Sequence, residues 1–190
     1  MHMKRQVLFV QGGGEGVHDD WDGKLVESLR SELGPKYEVR YPRMPKEDDP
    51  SYVRWKAALA KELAALNDGP ILVGHSLGGT ILIHAIAENS PERAVGAIFL
   101  IAAPFVGEGG WQIDGWRPQR ELGAKLPREV PIYLYHGLAD STAPPLHAEL
   151  FVHAIPQAHL CKVPGRDHQL NNDLSEIAAV IKSLAAGMAS

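Results

Sequence analysis

The segment that most constrains this chain is the pentapeptide Gly74-His75-Ser76-Leu77-Gly78, extended by Gly79. It follows the apolar run Ile71-Leu72-Val73 and precedes the helix-like Thr80-Ile81-Leu82-Ile83-His84-Ala85. A strand that turns directly into a helix brings backbone so close that a Cβ at position 74 or 78 would collide with its neighbours. The serine at the apex then adopts a strained conformation, with its Oγ pushed out above the sheet edge. Three fixed positions alone arise by chance. The buried-type strand before them and the helix after them make Ser76 a candidate nucleophile rather than a solvated serine in a glycine-rich turn.

A serine hydroxyl is a poor nucleophile until a base takes its proton, so two partners are required. On such a turn they follow in the order Ser, Asp or Glu, His, each on a loop after a later strand. The run Ile132-Tyr133-Leu134-Tyr135-His136-Gly137 reads as a strand, and the loop Leu138-Ala139-Asp140-Ser141 follows it. Asp140 is thereby expected at the carboxyl end of a strand, where parallel sheets collect their site residues. The segment Ala158–Val163 reads as the last strand, and Pro164-Gly165-Arg166-Asp167-His168 as its loop. His168 is the base candidate.

The chain has nine histidines, and most have a plainer reading. His2 lies in a tail that resembles vector sequence, and His84 on the helix after the elbow reads as packed or solvated. His136 and His159 fall inside strand patterns, where a hydrogen-bonded core imidazole is expected. His147 and His153 are placed on a solvent-facing helix, and His18 in the first glycine-rich loop, near the site mouth. His75, inside the elbow, is assigned to the substrate-lining set. As rival acid, Asp167 adjoins His168, but adjacent side chains on an extended loop point apart. Asp140 is therefore preferred for fixing the imidazole tautomer. Asp173 and Glu176 are read as surface charge on the terminal helix.

An oxyanion needs backbone donors. One is the N–H of Leu77, next to the nucleophile, and the other comes from the loop after an early strand. The run Gln6–Val10 is that strand, and Gln11-Gly12-Gly13-Gly14-Glu15-Gly16 is its loop. Gly13 is the preferred second donor, Gly14 the next, and Gly12 and Gly14 are expected to line the substrate. A dinucleotide cradle would need glycine at position 17, where Val17 stands, and an acidic residue after the second strand, where Arg40-Tyr41-Pro42 stands. The P-loop pattern is absent as well.

These motifs resemble the α/β-hydrolase superfamily. More narrowly, Gln11-Gly12-Gly13-Gly14, Gly74–Gly79, the Gly137-x-x-Asp140 loop and Gly165-x-x-His168 are similar to those of the small single-domain serine hydrolases of the retinoblastoma-binding-protein-nine type. The resemblance implies a Ser-Asp-His hydrolase without cofactor or metal, and leaves the natural substrate open. Larger esterases insert a helical lid before the acid, and this chain has no room for a full one.

The remaining segments alternate strand and helix. Trp21, Leu25, Val26 and Leu29 recur at helical spacing up to Gly34-Pro35, and Tyr37–Tyr41 alternates as a strand. Ser51 is placed to cap a helix with apolar positions Val53, Trp55, Leu59, Leu63 and Leu66. Val95–Ile101 is a further buried strand. Six strands separated by helices predict one domain over residues 1–190, a three-layer α/β/α sandwich with a mostly parallel sheet in the order 2-1-3-4-5-6.

Two loops stand out. Ala103–Pro118 is rich in Gly, Pro and Trp, and connections this long are usually functional or mobile. Trp111 and Trp116 either cover an apolar acyl or aryl pocket or pack the loop onto the body. Arg43–Pro50 is charged and reads as a solvated connection.

With 45% hydrophobic residues there is enough for a core. A net charge of −4 supplies no basic field for nucleic acid. The single cysteine, Cys161, reads as a small core residue, and the chain cannot form an internal disulfide. The apolar stretch behind Lys4-Arg5 is too short for a signal segment, and no run reaches the ~18 apolar residues of a membrane span. The expected setting is cytoplasmic, with a small-molecule acyl substrate, no nucleic-acid or membrane partner and an unknown protein partner. The expected activity is cleavage of small carboxylic esters, extending to thioesters or amides. An acyltransferase or peroxidase-like activity on the same residues, or a non-catalytic binding protein, are the alternatives.

Overall fold

The computed structural model describes residues 4–187, so His2 lies outside the described residues. Six strands form one sheet in the order β2-β1-β3-β4-β5-β6. They are β1 Arg5–Val10, β2 Tyr37–Arg40, β3 Ile71–His75, β4 Ala97–Ile101, β5 Ile132–Gly137 and β6 His159–Val163. Every pairing is parallel, where a mostly parallel sheet was expected. The helices are α1 Asp22–Leu33, α2 Tyr52–Ala64, α3 Ser76–Glu88, α4 Leu122–Lys125, α5 Leu146–Ala154 and α6 Ser175–Gly187.

Burial on both faces is what makes the central strands continuously apolar. Leu72 and Leu100 point into a core built with Trp55 and Leu59 of α2, Ile83 and Ile86 of α3, and Phe151 of α5. Val73, Phe99 and Ile101 point the other way, onto Leu25 and Leu29 of α1 and Ile177 and Ile181 of α6. The result is three layers, with α1 and α6 on one face and α2, α3 and α5 on the other. Because all strands run the same way, their carboxyl ends share one edge, and the loops leaving that edge meet.

Several local expectations are corrected. Trp21 does not join the core face of α1; it closes a short π-turn, Val17–Trp21, before the helix begins and is 56% exposed. Val53 is also exposed, because the buried stripe of α2 runs through Trp55 and Leu59. Ser51 occupies the N-cap of α2 without a side-chain capping bond. His159 is exposed, because β6 is an edge strand with one side open. Cys161, on the same strand, is half-buried. His147 faces inward rather than to solvent: its Nδ1 accepts the Phe105 N–H at 2.9 Å, anchoring the long loop after β4.

Candidate active site

Ser76 lies where β3 becomes α3, at φ 50°, a left-handed conformation that an L-residue adopts only under constraint. The constraint is the close packing of its glycine neighbours. A Cβ on Gly78 would stand 1.9 Å from the Gln11 carbonyl oxygen at the end of β1, and one on Gly74 would stand 2.4 Å from Gly79 Cα. The elbow is therefore wedged between the end of β1 and its own helix.

Loops from two later strands reach Ser76. The Ser76 hydroxyl donates to His168 Nε2 at 3.0 Å, and His168 Nδ1–H donates to Asp140 Oδ2 at 2.8 Å. The other oxygen of Asp140 accepts the N–H groups of Thr142 and Ala143, each at 2.9 Å. His136 Nε2 lies 3.3 Å from Asp140 Oδ2 while donating to the Ala143 carbonyl at 2.7 Å. Burial raises the Asp140 pKa, but the hydrogen bonds from His136 and His168, the His168 charge and the Ala143 N–H outweigh it. The carboxyl is held far below the ordinary range. Asp140 is thus an ionised, buried acceptor that holds the His168 ring. Asp167 is turned away from the ring, its Oδ1 accepting the N–H groups of Gln169 and Asn171.

The glycine loop after β1 closes the other side. Gly12 N–H donates to Asp22 Oδ2 at 2.7 Å and Gly14 N–H to the Glu47 carbonyl at 2.6 Å. The Gly13 N–H has no such partner among the described residues. Leu77 N–H belongs to the first turn of α3, where helical geometry leaves amides unpaired. Anions are favoured at that end of a helix.

Together these groups border a cleft of about 560 Å³. Gly12, Gly13 and Gly14 form one wall, Ser76, Leu77 and His168 the floor, and Trp21 and Trp111 aromatic flanks. Trp111 is therefore at the cleft. Trp116 is not: it stacks on Tyr52 at 4.5 Å and meets the His84 ring edge-on at 5.1 Å, so it packs the loop onto the body. His75 borders the floor but has no nitrogen to offer a substrate. Its Nδ1–H donates to Asp22 at 2.9 Å and its Nε2–H to the His168 carbonyl at 3.0 Å. It stands at the cleft, where the substrate-lining assignment put it, with both ring nitrogens already engaged. His18 is also withdrawn from the mouth, stacked on Tyr41 at 4.1 Å.

Three features escaped the sequence reading. Asp22 is wholly buried behind the glycine loop. Its signal was available: positions 22, 25, 26, 29 and 33 share one helical face, and an acid on that face has to find donors. The Arg43–Pro50 loop exposes Arg43, Lys46, Asp48 and Asp49, as its charges led one to expect, but it is more than a connection. Met44 is buried, and its N–H donates to Gln11 Oε1 at 2.8 Å; Gln11 Nε2 donates to Glu47 at 2.6 Å. Asp48 and Pro50 from the same loop line the cleft. Gln169, next to the base candidate, lines it too and donates to Asp22 Oδ1 at 3.3 Å.

Sheet order, elbow and site loops together define the class, and the chain belongs to the alpha/beta hydrolase family, whose model matches residues 7–183. No curated protein sequence matches it. Among solved structures it is similar to the ydeN gene product of B. subtilis, at 18% identity and a TM-score of 0.74, over 96% of this chain and 100% of that one. It is likewise similar to Est1E from Butyrivibrio proteoclasticus, solved with ferulic acid, at 16% identity and a TM-score of 0.66, over 100% and 92%. A third is a serine hydrolase without lid from Xanthomonas campestris, at 17% identity and a TM-score of 0.61, over 96% and 81%. At these identities the likeness is one of fold. Among the described residues, no helix is long and apolar enough to cross a membrane.

Proposed function

We propose that the protein is a serine hydrolase of small carboxylic esters, acting through an acyl-enzyme on Ser76. The observation that carries this reading is the unbroken chain Ser76 Oγ–His168–Asp140, lying in an open cleft beside the unpaired Gly13 N–H. His168 Nε2 takes the hydroxyl proton as Ser76 Oγ attacks the ester carbonyl. The carbonyl oxygen becomes an oxyanion, received by the N–H groups of Leu77 and Gly13, and donors of this kind contribute about 3 kcal/mol each. His168 returns the proton to the leaving alcohol as the C–O bond breaks. Water entering the cleft is then deprotonated by His168, attacks the acyl carbon and frees Ser76. Asp140 keeps Nδ1 protonated throughout, so that Nε2 is the accepting nitrogen.

The cleft is wide at the mouth and Trp21 and Trp111 flank it, which favours compact acyl or aryl groups over long chains that need enclosure. Est1E was solved with an aryl acid bound, on a fold of the same kind. Water has direct access to the acyl-enzyme, which favours hydrolysis over acyl transfer. The test is labelling by a fluorophosphonate probe together with a panel of short-chain and aryl esters. Labelling confined to Ser76, with ester turnover, supports the reading. An inert protein on both counts refutes it.

A further inference from the structure

The mechanism above leaves a buried ion pair unused. Asp22 and His75 are 0% and 1% exposed, directly beneath Ser76 and the glycine loop. Both ring nitrogens of His75 face groups that only accept: the Asp22 carboxylate at 2.9 Å and the His168 carbonyl at 3.0 Å. A neutral imidazole has one N–H and cannot satisfy both. The ring is therefore an imidazolium and Asp22 its carboxylate counterion. Burial pushes the His75 pKa down, but the Asp22 charge and hydrogen bond carry it above its ordinary value. Burial likewise pushes Asp22 up, and the His75 charge brings it below. The titratable groups facing His75 are Asp22 from α1, Asp140 from the loop after β5, and the His168 ring at 5.0 Å.

Asp22 gathers donors from three segments. It accepts Gly12 N–H at 2.7 Å from the glycine loop, His75 from the elbow, and Gln169 Nε2 at 3.3 Å from the loop after β6. The bond to Gly12 fixes the backbone whose next N–H is that of Gly13. The bond from His75 fixes the backbone of the base candidate itself. A Cβ on Gly12 would stand 3.2 Å from Ser76 Cβ and 3.4 Å from His75 Nδ1, so the glycine loop and the elbow meet with little spare volume.

We propose that Asp22 and His75 are positioning residues, a permanently charged clamp holding the oxyanion loop and the His168 loop in register over Ser76. This rests on the roles given above to Ser76 and His168. Neither residue has a polar atom free for a substrate, so loss of the clamp lowers kcat and leaves KM nearly unchanged.

Two measurements test it. In the unaltered protein, nitrogen-15 NMR should find both His75 ring nitrogens protonated from pH 6 to 9. A single protonated nitrogen, or a titration in that range, overturns the clamp. In Asp22→Asn, which keeps shape and removes charge, kcat for a short ester should fall on the order of 10- to 100-fold, with KM within about twofold. The pH range over which His75 stays protonated should shrink with it. A folded Asp22→Asn enzyme with unchanged kcat overturns the proposal. Should the unaltered protein neither label nor turn over esters, the hydrolase reading fails, and the NMR result alone decides whether the charged clamp exists.

Discussion

Replacing Gly78 with alanine tests the wedge between elbow and glycine loop. The added Cβ would fall 1.9 Å from the Gln11 carbonyl oxygen, 2.8 Å from its carbonyl carbon and 3.0 Å from the Val10 oxygen. Reaching even a tight contact requires about 1 Å of separation, and every close atom is backbone, so no side chain can rotate out of the way. Gln11 leads directly into Gly12 and Gly13. Moving it carries the Gly13 N–H away from the oxyanion position, and a misplacement of about 1 Å can cost on the order of 100-fold in rate. Losing one oxyanion donor costs a comparable 10²–10³ in kcat. We expect kcat for a short ester to fall roughly 100-fold, with a stability loss of about 1–3 kcal/mol from overpacking. Steady-state turnover, fluorophosphonate labelling rate and chemical denaturation read these together. Gly34→Ala is the control: nothing lies within 4 Å of the new Cβ, and its backbone, at φ 73° and ψ −171°, carries only local strain, so it should cost about 1–3 kcal/mol of stability and no activity. A folded Gly78→Ala enzyme with kcat within about threefold of the parent would refute the wedge argument.

Other expectations follow from the same geometry. Ser76→Ala should abolish ester turnover and probe labelling while leaving the circular dichroism spectrum intact; labelling that persists would remove Ser76 from the nucleophile role. Asp140→Asn should lower kcat by up to about four orders of magnitude, as loss of the orienting carboxylate does in a triad. Asp167→Asn, whose carboxylate caps the Gln169–Asn171 turn, should cost little, and a reversed ranking in kcat would move the acid to the wrong loop. His84 is buried and its pKa is pushed down to about 4 by desolvation. Its folded value lies below the unfolded ~6.5, so its contribution is fully present above that pH and is lost as pH falls toward 4, on the order of 3 kcal/mol in all. Denaturation of His84→Gln across that window should show a flatter slope than the parent, and parallel slopes would show that His84 does not stay neutral in the native state.

The architecture was legible because buried parallel strands write themselves as uninterrupted apolar runs. Ile71–Val73, Ala97–Ile101 and Ile132–Tyr135 have no polar residue to blur the signal, and the glycine spacing of the elbow follows from steric contact alone. The loops carrying Asp140 and His168 could be placed because each follows such a run. What could not be read was anything decided by tertiary partners. Trp21 fits a helical period with Leu25, but the π-turn ends the pattern one residue before the helix starts. His147 looked solvent-facing because its partner, the Phe105 N–H, is 42 positions away. The attachment of the charged Arg43–Pro50 loop to the site was hidden because the buried Gln11 side chain that fastens it lies in a different loop. Asp22 carried a readable signal, an acid on an apolar helical face, whose meaning depended on donors from three distant segments.

The distribution of the four tryptophans gives the molecule a built-in optical reporter. Trp55 and Trp116 are sealed in the core, at 0% and 8% exposure, and should emit at short wavelength, out of reach of a soluble quencher. Trp21, more than half exposed, and Trp111 flank the cleft, and their emission should be redder and open to iodide or acrylamide. Occupancy of the cleft therefore changes the emission of Trp21 and Trp111 and spares that of Trp55 and Trp116. A ligand that shields Trp21 and Trp111 would register as a loss of the quenchable fraction at constant buried signal, so binding constants for unreactive ester analogues can be measured on the unlabelled protein. Replacing either flanking tryptophan with phenylalanine would then show which side of the cleft the ligand occupies.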